Sequence, residues 1–413
     1  MGFGRYSCHP AIPAGTAFGA TGAAMSHGQW GRLQRLADFF SRKEARVGTT
    51  VLGEPEQGRI FPFGEVLAMA FPRSQSPDGI TRFSIVVNNY NYATYLTEAL
   101  ESAIAQMVEG DELIVVDDGS TDNSRAVLRQ YQAEHGIRVI EQENQGQVCA
   151  VKAGIAASSG DVVVLLDSDD YFLDGYLDRL RKTYVGHPHI SFVFCKARVV
   201  GCHGADSEPM RRIMDRNELT PGDVGLTRWA ALLFNEFVGV PTSGNSLRRS
   251  LAMRAIEFPG GERAIITIPP WLSRILRIPR TEQEKSGYTA DGVIVRCASI
   301  LQSPKYYEER PGFAYRIHGA NTYASIPGVG RYYLRYKRKK QFTALAKQHF
   351  GLVAPPTATE LREEILGRSF NRKWLRRVTI RFKYCCAILA SRGSTTEKLV
   401  ALTAAIGYRP RNS

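Results

Sequence analysis

From residue 82 the chain alternates compact β-branched runs with stretches of helical periodicity, and this alternation restricts the fold more than any other feature. Phe83-Ser84-Ile85-Val86-Val87 reads as a buried strand and ends in the polar turn Asn88-Asn89-Tyr90-Asn91. Leu96, Ala99, Leu100, Ala103, Ile104 and Met107 then recur at helical intervals and form one apolar face. Residues 113–116 make a second strand, interrupted by Asp117-Asp118-Gly119-Ser120-Thr121-Asp122. Thr121 or Asp122 is placed to cap the helix that runs toward Gly136. A third strand over 137–140 and a third helix over 148–158 follow. The fourth strand, over 162–166, stops abruptly at Asp167-Ser168-Asp169-Asp170.

This β-α-β-α order predicts a mostly parallel sheet with helices on its faces. In such sheets ligands bind beyond the carboxyl ends of the strands, and each polar cluster named above falls there. Three carboxylates within four residues repel one another unless a cation is near. An oxygen-rich set of this kind suits Mg²⁺ or Mn²⁺, held by one or two carboxylates together with substrate phosphates. Singly, each cluster is also ordinary turn chemistry. Asp-Gly favours turns, and Asp167 to Asp170 reads equally as a turn and cap before a helix over 171–180. Two such clusters at the ends of two strands of one sheet point to a site.

A chain of 413 residues allows two to four domains, at roughly 100–200 residues each. Hydrophobic residues at 44% and charged residues at 23% exclude wholesale disorder and collagen-like or coiled-coil repeats. No apolar run approaches the ~18–20 residues that span a bilayer. The net charge of +13 is unevenly placed: 19 basic and 4 acidic side chains lie beyond residue 330, against 34 and 36 before it. The basic tail interleaves its charges with apolar patches (Trp374-Leu375, residues 378–382 and 399–406), which favours an anionic lipid surface over nucleic acid. No nucleic-acid-binding motif accompanies it. The plainer alternative is a solvated, partly helical extension. Seven cysteines, odd in number and scattered, argue against a disulfide framework or a zinc site, Cys195 and Cys202 being the nearest to a pair. Reduced thiols point to the cytoplasm. Residues 1–80 switch between Gly/Pro clusters and short helical pieces such as residues 30–40, without a basic segment followed by a sustained apolar core. They read as a poorly ordered extension, with Met25 an alternative start.

Four segments stand together in an order and spacing that resembles the family 2 glycosyltransferases. They are Ser84-Ile85-Val86-Val87-Asn88-Asn89-Tyr90-Asn91, Val116-Asp117-Asp118-Gly119-Ser120-Thr121-Asp122, Asn144-Gln145-Gly146 and Leu165-Leu166-Asp167-Ser168-Asp169-Asp170. The resemblance is clear over residues 82–200 and continues more weakly to about 325. It implies the GT-A fold, a Rossmann-like α/β architecture with a mostly parallel sheet and helices on both faces. It also implies a division into an N-terminal extension (1–80), a nucleotide-sugar-binding half (81–200), an acceptor-binding half (201–330) and a basic, mainly helical extension (331–413). Carried over by position, it puts Asn89, Tyr90 and Asn91 along the nucleotide pocket and Asp118 on the base, with Gly119, Ser120, Asn144, Gly146 and Ser168 in the same donor site. Asp167 and Asp169 resemble the family's DxD pair, holding ribose and the divalent ion, with Asp170 sharing the metal role. Two departures stand out. The first turn is Asn-Asn-Tyr-Asn where Pro-Thr-Tyr-Asn is more usual, and Cys149 with Lys152-Ala153-Gly154 replaces an Ala-Arg-Asn-like stretch. Lys152 reads either as a phosphate cation or as a solvated helix residue.

In the second half, Pro241-Thr242-Ser243-Gly244-Asn245-Ser246 resembles the family's small-residue loop beside the sugar. Ser243 and Gly244 allow close backbone approach, and an ordinary turn before a helix is the alternative. Tyr288-Thr289-Ala290-Asp291 keeps one acidic residue where a Glu-Asp pair is common. The resemblance makes Asp291 the catalytic base, while a helix N-cap is the usual role of Asp before an apolar helix. Glu284 and Glu257 rank behind it. Tyr315-Arg316-Ile317-His318-Gly319-Ala320-Asn321 resembles a closing motif whose His318 approaches the metal or the diphosphate; a lone His is often structural.

The resulting expectation is an inverting, metal-dependent transfer from a nucleotide-diphosphate sugar to a saccharide, lipid-linked or protein-glycan acceptor, in polysaccharide or glycan biosynthesis. The protein is expected in the cytoplasm, with peripheral association at an anionic membrane and no nucleic-acid partner. A sugar nucleotidyltransferase is disfavoured because the first turn is not a glycine- and basic-rich phosphate loop. A catalytically silent nucleotide- or membrane-binding scaffold is disfavoured by the retained carboxylates.

Overall fold

The β-branched runs pair as the alternation requires. In a computed structural model, which describes residues 81–201, 219–259, 274–275, 288–318, 328–370 and 373–407, β1 (Phe83–Asn89), β2 (Glu112–Asp117), β3 (Arg138–Glu141) and β4 (Val162–Asp167) form a parallel half-sheet. Helices α1 (Ala93–Ile104), α2 (Ser124–His135) and α3 (Gln147–Ala157) connect them. Ile85, Val86, Val87, Val115, Val116 and residues 163–166 are fully buried, as strands covered on both faces must be. The N-terminal segment, with residues 30–40 and Met25, lies outside the described residues, as do Cys8, Cys202, Glu284 and Asn321.

The remaining strands are β5 (Tyr171–Phe172), β6 (Phe192–Gly201), β7 (Gly222–Gly225), β8 (Asn245–Arg248) and β9 (Lys305–Ile317). The sheet runs β3-β2-β1-β4-β8-β6-β9-β5, with β7 also on β9. Two local readings are corrected here. Tyr171 opens not a helix but the short strand β5, antiparallel to β9, and α4 (Tyr176–Gly186) begins behind Gly175. Residues 241–246 form a tight 3-10 turn at Thr242–Gly244 and then β8, antiparallel to β4, before α6 (Arg249–Ile256). Both strands arise because an open sheet edge takes a partner, a demand invisible in the local sequence. Asp122 accepts from the Ser124 amide (2.9 Å) at the start of α2, and its other oxygen accepts from Ala93 at the start of α1 (2.9 Å).

The second half adds α5 (Arg228–Phe234) and α7 (Ala290–Ile300); beyond it come α8 (Gly328–His349), α9 (Ala358–Gly367), α10 (Trp374–Ala390) and α11 (Thr395–Gly407). The basic segment is more than a solvated extension. Ala358, Leu361, Ile365, Phe370, Tyr384 and Ile388 join the hydrophobic core. Glu364 of α9 accepts from the amides of Trp229 (2.7 Å) and Ala230 (2.8 Å), satisfying orphan donors of the first turn of α5. Tyr384 of α10 donates to Glu364, and Arg368 donates to Tyr384 Oη (3.1 Å) and pairs with Glu236. No helix among the described residues is long and apolar enough to cross a membrane.

Candidate active site

Register builds the site. Asn88 pairs with Asp167 across β1 and β4, and Asn89 with Asp117 across β1 and β2. The polar residues that end three strands therefore lie level along the carboxyl edge.

The first two turns are tied to each other. Buried Asn89 donates to Asp117 (2.9 Å) and to Ser120 Oγ (3.1 Å). Asn91, in the left-handed region at φ 59° that Asn tolerates, accepts from the Thr121 amide (2.7 Å), and its own amide donates to Ser120 Oγ (2.9 Å). Tyr90 projects at the tip, 45% exposed. Asp118 is buried and holds the third turn: it accepts from Gln142 Nε2 (2.7 Å) and from the amides of Gln145 (2.9 Å) and Gly146 (2.8 Å). Gly119, at φ +78°, passes so close to that turn that a Cβ would lie 2.8 Å from the Asn144 nitrogen. Asn144 itself is exposed, and Gly146 is half-buried.

The third cluster holds the carboxylates. Asp167, Asp169 and Asp170 each bring one oxygen to within 4.8 Å of the others. Asp170 is buried, accepting from Ser243 Oγ (2.6 Å) and the Arg316 amide (2.9 Å). Ser243 also accepts from the Asp167 amide (3.0 Å). Ser243 and Gly244 are thus buried beneath the cluster, and a Cβ on Gly244 would collide with Phe313 and Val240. Arg316 Nε donates to the Asp169 carbonyl (2.9 Å). His318 Nε2 lies 3.0 Å from Asp169 Oδ2, its ring stacked on Tyr95 at 4.9 Å. Burial and the neighbouring Asp169 push Asp167 up to about 7. Burial and the same neighbours raise Asp170 well above the carboxylate range. Burial and these carboxylates also hold the Tyr92 phenol above its ordinary value. The hydroxyl of Ser168 and the side-chain carbonyl oxygens of Asn88 and Asn89 are buried at this edge without a hydrogen-bond partner. A bound group or water would satisfy them.

Asp291 sits in the first turn of α7, and the cap is not its role: Thr289 is the N-cap and accepts from Gly292 (3.2 Å). Asp291 is near enough for its charge to raise both Asp167 and Tyr315. Lys152 is half-buried on α3, and its ammonium donates to the Phe258 carbonyl (2.6 Å). Glu257 is exposed at the end of α6.

Gln147, the first residue of α3, is what sequence reading missed. Its Nε2 donates to Asp167 Oδ1 (2.9 Å) and reaches Thr242 Oγ1 (3.4 Å), while Oε1 accepts from the Ala290 amide (3.2 Å). One side chain joins the carboxylate cluster, the small-residue turn and the start of the helix carrying Asp291. Its position directly after the Asn144-Gln145-Gly146 turn was the available signal. No spacing rule foretells the partners.

A parallel half-sheet with carboxylates at its carboxyl edge, continued into a mixed half, is the GT-A form of α/β protein. Residues 84–237 match the model of Glycosyl transferase family 2. An uncharacterised glycosyltransferase of Nostoc sp. is 35% identical over 256 residues, 59% of this chain and 67% of that protein. The glycosyltransferase GlyA of Streptococcus pneumoniae is 37% identical over 105 residues, a quarter of this chain (25%) and 15% of that protein. Among solved structures, S. aureus TarS 1-349 in complex with UDP-GlcNAc aligns at 14% identity and TM-score 0.41, over 79% of this chain and 71% of that one. The chain belongs to the family 2 glycosyltransferases.

Proposed function

We propose that the protein transfers a sugar from a nucleotide-diphosphate sugar to an acceptor hydroxyl with inversion, in polysaccharide or glycan biosynthesis. The observation that carries this reading is an acidic cluster with a further carboxylate near enough for its charge to bear on it. The Asp167–Asp170 cluster lies at the sheet edge, and Asp291 lies within electrostatic reach of it.

The residues present fit a divalent ion. Asp167 and Asp169 are half-buried and oxygen-rich, the charged form of Asp167 is disfavoured by burial and by Asp169, and His318 is in contact. Such a donor set suits Mn²⁺ or Mg²⁺. Asp167, Asp169 and His318 would hold it, while Asp170 ties the turn to β9. The ion when bound supplies positive charge against the departing diphosphate. Tyr90 and the turns around Asn91, Gly119, Asn144 and Gly146 form the donor side, with Asp118 fixing the last of these turns. Asp291 accepts the proton of the acceptor hydroxyl as the new bond forms. A single displacement inverts the anomeric centre and needs no covalent nucleophile. The acceptor is a saccharide, a lipid-linked saccharide or a protein glycan. Free thiols such as Cys149, Cys195 and Cys297 support work in the cytoplasm, and the basic excess beyond residue 330 supports peripheral association at an anionic membrane.

The test is a panel of nucleotide sugars with Mn²⁺, read by nucleoside-diphosphate release and product transfer. Asp169→Asn is expected to abolish metal-dependent turnover with the fold intact. Asp291→Asn is expected to keep donor binding and lose transfer. Unchanged turnover in the first variant would remove Asp169 from the metal site, and normal transfer in the second would put the base elsewhere.

A further inference from the structure

Helix α10 has two apolar faces, and among the described residues only one packs against the core. Tyr384 and Ile388 are buried in the core and Ile380 packs against it, with Tyr384 held by Glu364 and Arg368. On the other side Trp374 (67% exposed), Leu375 (71%), Val378 (46%), Phe382 (68%) and Leu389 (61%) face outward. With 3.6 residues per turn, these five positions fall within a sector of roughly 100°. Arg381 borders that sector on one side, and Lys383 and Arg376 lie roughly 80–100° beyond its other edge, past Cys386 and Thr379. Between Lys373 and Ala390 there are five basic residues and no carboxylate. The neighbouring α11 adds exposed Leu399 and Ile406.

We propose that this outward face of α10 is a docking surface for an anionic lipid bilayer; the proposal rests on reading the basic tail as a membrane-surface element and assigns that role to one helix face. Three observations select a bilayer. The helix is basic and carries no carboxylate, a charge balance that matches headgroup phosphates. Trp and Phe lie beside basic residues, as in helices that rest in the headgroup boundary. At about 1.5 Å per residue the 17-residue helix is too short to cross a bilayer and long enough to lie along one. The buried face keeps the helix formed before any lipid arrives, so the surface is ready-made.

The experiment is flotation of the full chain with vesicles of phosphatidylcholine alone and of equal parts phosphatidylcholine and phosphatidylglycerol, at about 0.1 M salt. The wild-type protein is expected to float with the anionic vesicles only. Trp374→Glu combined with Phe382→Glu is expected to lose at least tenfold in partitioning, with unfolding midpoint and donor turnover unchanged. A second readout guards against misfolding: brominated lipid should quench the part of the fluorescence that Trp374→Phe removes. If the wild-type protein floats and the double variant floats equally, the tail binds lipid but this face does not. If the wild-type protein floats with neither vesicle, the membrane reading falls along with the face. A dimer that the double variant splits, with flotation of neither, would give the face to a second copy of the chain.

Discussion

Gln147 shows how one uncharged side chain organises a charged site. Its amide satisfies an oxygen of Asp167, and its carbonyl oxygen holds the Ala290 amide, so both acidic groups are indexed to the first residue of α3. Gln147→Leu keeps the volume and removes both bonds. Turnover is expected to fall roughly 10–100-fold, as for other residues that orient metal ligands, with a weaker apparent Mn²⁺ affinity. Kinetics and a Mn²⁺ titration check this together; wild-type values for both would leave Gln147 only a packing role. Asp118, expected on the base of the nucleotide, accepts from Gln142 and the amides of Gln145 and Gly146. Its acidic side chain is legible in the sequence, but its partners are set by the folded turn at 142–146.

At the scale of elements, the alternation of period-two and helical patterns located β1 to β4 and α1 to α3. Those elements are local: a run such as residues 162–166 carries its own preference for a buried strand. The elements it hid, β5 and β8, are two and four residues long and exist because an edge needs pairing. Helix α5 is a similar case. Its first turn is satisfied by a carboxylate from α9, more than a hundred residues away. Glu364 is buried, and burial raises its pKa although Tyr384 and Arg368 act against that. Glu364→Ala leaves two buried amides and the Tyr384 hydroxyl short of an acceptor, and the expected cost is about 3–5 kcal/mol. Urea denaturation measures it. A loss below about 1 kcal/mol would mean that water replaces the carboxylate without penalty.

For the whole molecule, the carboxylate cluster links stability to pH and to metal. Asp167 is held at about 7 in the folded protein by burial and Asp169, above the ordinary Asp value. The folded state therefore binds more protons than the unfolded state between that ordinary value and about 7. The metal-free protein should lose stability as pH rises through this window. An ion needs the charged form, so protons compete with it below about 7. The rise in melting temperature on adding Mn²⁺ is expected to be larger at pH 8 than at pH 6, and a larger rise at pH 6 would contradict the assignment. The tail belongs to this scale as well. Its charge excess is plain in the composition, yet Glu364, Arg368 and Tyr384 make it part of the body, so point variants on the outer face of α10 probe it more cleanly than removal of residues 331–413.

The order of strands and helices, the polar clusters at the strand ends and the basic tail were all written in local patterns, because each depends on residues close together in the chain. The meeting of Asp167 with Gln147, of Ser243 with Asp170 and of Glu364 with α5 was decided only by folding. Those contacts join residues 20 to 135 positions apart, and hydrogen-bond geometry over such separations leaves no period in a sequence.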